Sequence, residues 1–74
     1  MSLQTPNGNA AFQAYLQQHH LEVLDVAVRT GVRYLVVWNI LHNHPVTSAH
    51  ATQVRAGLQR MTGIPYEGPI AIRK

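Results

Sequence analysis

The chain has 74 residues, a net charge of +3 and no cysteine. That length supports one domain with a marginal core, and the missing cysteines exclude disulfide staples and thiolate metal sites. With 46% hydrophobic residues the composition suits a folded chain, and no apolar run reaches the roughly 20 residues of a membrane span.

The basicity comes from scarce acids. Glu22, Asp25 and Glu67 oppose Arg29, Arg33, Arg55, Arg60, Arg73 and Lys74. This balance is compatible with phosphate binding without requiring it.

The opening "MSLQTPNGN" has no basic region followed by an apolar core, so no signal peptide is expected there. Residues 1–8 read as a flexible lead-in closed by the turn-prone "PNGN". Asn9 is a good N-cap for a first helix, in which Phe12, Tyr15 and Leu16 recur at helical spacing and the polar run 17–20 marks the end. A second helix runs through "EVLDVAVRTG". Val23 or Leu24 lies one turn from Ala27 and Val28, and Glu22 and Asp25 sit in the first turn, where the helix dipole favours acids. Arg29 lies in the last turn, and Gly31 follows as a stop able to adopt positive φ.

A third helix is expected over residues 33–42. Its β-branched Val36, Val37 and Ile40 make a strand the rival, but a lone strand one short turn after a helix would have no partner. "HNHPVTS" is a loop, in which Pro45 biases His44 away from helix and Thr47 or Ser48 caps a fourth helix. Ala51, Val54, Leu58 and Met61 then form the clearest amphipathic stripe, with His50, Gln53, Gln59 and Arg60 away from it. Gly57 is expected to weaken that helix by about 0.5–1 kcal/mol relative to alanine, and Gly63 to stop it. Residues 64–74 read as an extended C-terminal tail, with "PIAIR" as a short arm or edge strand. The expected fold is all-α, a compact bundle of four to five short helices.

The centre of the chain matches the needs of a helix-turn-helix spanning a domain over residues 9–63. Such a motif requires a small residue where its helices cross, a positive-φ turn residue, an apolar plug after the turn and two more apolar residues sealing the second helix. Ala27, Gly31, Val32, Val37 and Ile40 supply them in order. The same count turns Arg33, Tyr34, Leu35, Val36, Trp38 and Asn39 outward, where they would face a major groove. Leu41 is assigned to the core with Val37 and Ile40, and Trp38 fits a core or interface position better than a base-reading one.

The segment "LDVAVRTGVRYLVVWNILHNHPVTSAHATQVRAGLQRMTGIPY" resembles the lambda-repressor-like helix-turn-helix superfamily, which includes the phage Cro/repressor (Xre-type) regulators and the headpieces of the lac-repressor family. "DVAVRTGVRYLVVWNIL" is similar to the lac-type pattern, in which a Gly-Val pair is followed by Tyr two residues later and Val three beyond that. The resemblance implies that Tyr34, Leu35 and Asn39 read base edges. It places Arg33 at the start of the recognition helix and His42 and Asn43 just past its end, where backbone contacts are frequent. Four residues depart from the family pattern. Arg33 stands where Ser or Thr usually caps the recognition helix, and Leu35, Val36 and Trp38 replace residues that are typically polar.

The function expected from these residues is sequence-preferring binding of double-stranded DNA by a small transcriptional regulator, in the cytoplasm and on the nucleoid when bound. A homodimer or a protein partner is expected, because one such helix reads few base pairs. The rival is a protein-interaction adaptor docking through the apolar face of Leu35, Val36 and Trp38. Arg55 and Arg60 read as solvated helix charges. Catalysis has no support: no carboxylates pair in an apolar setting, Ser2 and Ser48 have no evident base, and no glycine-rich phosphate loop occurs. His42 and His44, with His50 six residues on, do not make a recognisable metal motif, so no metal or cofactor is expected.

Overall fold

The computed structural model describes residues 8–73, so all of the lead-in over residues 1–8 except Gly8 lies outside the described residues. Among the described residues there are four helices: α1 (Ala10–Gln18), α2 (Val23–Thr30), α3 (Tyr34–Leu41) and α4 (Ser48–Thr62). No strand forms among them. A single parallel bridge joins Val46 to Ile72. None of the helices is long and apolar enough to cross a membrane.

Local chemistry sets the helix ends. The Asn9 side chain accepts from the Phe12 N–H at 3.1 Å and starts α1. Asp25 accepts from the Glu22 N–H at 3.0 Å and ties down the first turn of α2. Gly31, at φ +78°, ends α2 and donates its N–H to the Ala27 carbonyl. Arg33 gives α3 no side-chain cap, as its lack of a short polar group dictates. Thr47 caps α4 by accepting from the His50 N–H at 3.1 Å, and Gly63 at φ +79° closes it.

The core gathers Phe12, Tyr15 and Leu16 of α1, Val26 and Ala27 of α2, Val36, Val37 and Ile40 of α3, and Ala51, Val54 and Leu58 of α4. Met61 is only half-buried at the end of its stripe. The α2 stripe read from the sequence needs correction. Of the alternatives, Val23 packs against the core and Ala27 is buried, joined by Val26 and Thr30, while Leu24 and Val28 are 59% and 72% exposed. The hydroxyl of Thr30 donates to the Val26 carbonyl at 2.7 Å, so this polar residue can be buried without an orphaned donor.

Thr30 is buried because α2 crosses α4 there. A methyl group built on Gly57 would overlap Thr30 Cγ2 and come within 2.9 Å of Thr30 Cβ. Gly57 is therefore not a simple weak point in α4. It is the gap through which the two helices approach. Gln53 supports the crossing by donating to the Thr30 carbonyl at 3.3 Å.

The segment after Gly63 is non-helical, as its prolines dictate, but it is not a free arm. Tyr66 and Ile70 lie in the core. The Tyr66 ring meets Phe12 and Tyr15 edge-on, with centroids 5.3 and 5.5 Å apart. Its hydroxyl and the Asn9 Nδ2 both donate to the Pro69 carbonyl at 2.8 Å. Arg55 is correspondingly not a merely solvated charge, since its Nη1 donates to the Tyr66 carbonyl at 2.8 Å. At the far end, the Val46 N–H donates to the Ala71 carbonyl (3.0 Å) and the Arg73 N–H to the Val46 carbonyl (2.7 Å).

Burial pushes the Tyr66 hydroxyl above its ordinary value of 10.0, against the opposing pulls of the Asn9 hydrogen bond and the Arg55 charge. The folded state thus keeps this proton longer than the unfolded chain does. Its stabilising contribution is complete below about pH 10 and is lost as pH rises through the folded value. Wild type is expected to lose more melting temperature than Tyr66→Phe between about pH 9 and about pH 11. Equal losses in thermal melts followed by circular dichroism would show that Tyr66 ionisation is not coupled to folding.

Candidate nucleic-acid interface

The arrangement of α2 and α3 follows from where their apolar residues go. Ala27, Val32, Val37 and Ile40 are all buried, and Gly31 adopts the positive φ that the tight connection needs. With Val37 and Ile40 inward, α3 presents its other side. Tyr34 is 50% exposed and Leu35 61%; Arg33 is exposed and Asn39 half-buried.

Two residues expected on the outer face are placed differently. Val36 is only 8% exposed, because it lies one turn before Ile40 and shares its inward face. Trp38 is half-buried, with the His42 ring 4.2 Å from its own and the His44 ring 5.5 Å away. The continuous apolar face of Leu35, Val36 and Trp38 is therefore absent: one member is inward, one is covered by imidazoles, and Leu35 alone is open. Leu41 packs against the core while half-buried. His42 ends α3, and the exposed Asn43 adopts φ +62°, a conformation asparagine tolerates.

Beside this face runs an open groove of about 380 Å³. Arg33, Leu35, Val36 and Asn39 of the α3 segment form one part of its lining. Val46 and Thr47 before α4, His50 in its first turn and Arg73 of the tail form the rest. No carboxylate lines it among the described residues; Glu22 and Asp25 belong to the start of α2 and Glu67 to the tail segment. The groove thus combines two guanidinium groups, an imidazole, a carboxamide and an apolar floor. That set can hold an anion and hydrogen-bond a planar polar edge. The Thr47 hydroxyl is engaged in capping α4.

Of the eight residues expected at the site, Arg33, Leu35, Val36 and Asn39 come together in the groove. Tyr34, Trp38, His42 and Asn43 lie outside its lining. His50 and Arg73 were missed. His50 carries a weak signal, since it follows the α4 cap by one turn and lies off the apolar stripe. Arg73 carries none, because its place depends on the tail folding back to Val46. Comparison with family models, curated proteins and solved structures finds no match.

Proposed function

We propose that the protein binds double-stranded DNA with a sequence preference and acts as a small transcriptional regulator, with α2 and α3 as a helix-turn-helix and α3 in the major groove. The observation that carries this reading is the pairing of an open α3 face with a groove that bears Arg33 and Arg73 and that no carboxylate lines among the described residues. Asn39 suits bidentate pairing with adenine, and Leu35 suits contact with a thymine methyl. Arg33 and Tyr34 suit phosphate at the start of α3, and His42 and Asn43 suit the backbone at its end. Val36, 8% exposed in the groove lining, and the half-buried Trp38 beside His42 suit support of the reading face better than base contact. The adaptor reading keeps Leu35 as its open apolar residue, beside a half-buried Trp38 and a buried Val36. A homodimer fits this role, because one α3 spans few base pairs. Action in the cytoplasm, on the nucleoid when bound, belongs to the same reading.

The test is titration of the protein into labelled random-sequence and genomic-fragment duplexes at two salt concentrations, with Arg33→Ala/Asn39→Ala as the comparison. Binding is expected to weaken steeply with salt. The double variant is expected to lose at least the ~1–3 kcal/mol attached to one bidentate base contact. Absence of binding at low salt, or binding untouched by the double variant, would remove α3 as the reading element.

A further inference from the structure

We infer that Arg73 is a second phosphate contact for the same duplex, carried to the α3 groove by the folded-back tail; this rests on the DNA-binding reading above. The phosphate is that of the nucleic-acid backbone, which an arginine grips irrespective of base sequence.

Three observations support it. The first is placement. Ile70 is buried, the Val46 N–H donates to the Ala71 carbonyl at 3.0 Å, and the Arg73 N–H donates to the Val46 carbonyl at 2.7 Å. The backbone leading to Arg73 is held at the Ala71 carbonyl and at Arg73's own N–H, so part of the ordering needed to present its side chain is done before any ligand arrives. The second is availability. Among the described residues the guanidinium of exposed Arg73 makes one hydrogen bond, Nη2 donating to the Pro45 carbonyl at 3.5 Å, at the outer limit of such a bond. Most of its five N–H groups have no acceptor among the described residues. The third is company. Arg73 lines the groove with Arg33 and His50, and among the described residues no carboxylate lines it. A phosphate entering the groove meets guanidinium groups from both α3 and the tail.

A contact of this kind gives affinity without sequence information, and that sets the test. Anisotropy titrations of a labelled duplex over a range of salt are run for wild type, Arg73→Gln, Arg73→Lys and Arg60→Gln. Arg60 is exposed on α4 and does not line the groove. Arg73→Gln is expected to flatten the slope of log affinity against log salt by about 0.9, with equal weakening on preferred and random duplexes. Arg73→Lys keeps most of the slope because the charge remains, and Arg60→Gln leaves it unchanged. As a check independent of any variant, the Arg73 side-chain N–H resonance of the wild type shifts when duplex is added. If wild type binds no duplex, the inference falls together with the functional reading. If Arg33→Ala/Asn39→Ala weakens binding while Arg73→Gln leaves the slope intact, the α3 reading stands and the inference about Arg73 alone is overturned. A slope lowered equally by Arg60→Gln overturns it too, since the effect would be one of net charge.

Discussion

Gly57→Ala is expected to destabilise the protein by about 1–3 kcal/mol, the usual range for overpacking a close contact. Helix propensity alone gives the opposite sign, because alanine is favoured over glycine in a helix interior by about 0.5–1 kcal/mol. The close approach decides between them. A Cβ at Gly57 meets the side chain and Cα of Thr30, the latter at 3.3 Å, and α2 cannot withdraw without opening the α2–α4 contact. Thr30 cannot simply rotate away either, since its hydroxyl is bonded to the Val26 carbonyl. Urea denaturation of Gly57→Ala measures the effect, and Ala56→Gly at the neighbouring exposed position calibrates propensity in the same helix. Thr30→Ser removes the clashing methyl but keeps the hydroxyl, so it is expected to cost less in the Gly57→Ala background than in the wild type. A more stable Gly57→Ala would show that the helices are not in close contact there.

The features legible in the sequence are those fixed by local geometry. Ala27, Gly31, Val32, Val37 and Ile40 stand at spacings that one turn and one positive-φ residue enforce, and each sits as that spacing requires. Asn9, Thr47 and Gly63 mark helix ends for the same reason. Val36 was misplaced because the run Leu35 to Trp38 is apolar on every side, which leaves no polar face to set the rotation of α3. Leu24 and Val28 lie outward because the inward face of α2 centres on Val26, Ala27 and Thr30, and a polar Thr30 hides the direction of that face in the sequence. The role of Gly57 depends on where another helix crosses, and no periodicity within α4 encodes that. The tail was hardest to read, since its contacts are remote in sequence: Asn9 reaches Pro69 and Phe12 reaches Tyr66.

These remote contacts couple the candidate site to the start of α1. The Asn9 N–H donates to the Leu41 carbonyl at 2.8 Å, so the start of α1 is tied to the end of α3. Asn9 also holds Pro69, and the chain from Pro69 onward carries Ile70 into the core and Arg73 to the groove. The position of α3 and that of the tail thus share one anchor, built around Asn9, Phe12 and Tyr66.

Removing the centre of that anchor is expected to have the largest effect of any single truncation. Phe12 is fully buried and edge-on to Tyr66, and Phe12→Ala is expected to cost about 3–5 kcal/mol. A chain of this size holds about 4–11 kcal/mol in all, so the variant is expected to be largely unfolded on warming or at low denaturant. The milder Phe12→Leu keeps most of the buried volume but loses the aromatic pairing, worth about 0.5–1.5 kcal/mol. If the anchor is what holds the tail, Phe12→Leu should speed amide exchange at Val46 and Arg73, whose N–H groups donate across the bridge, while α4 amides keep their protection. Uniform loss of protection across the molecule would instead mean that Phe12 supports the whole core equally, and that the tail has no separate dependence on it.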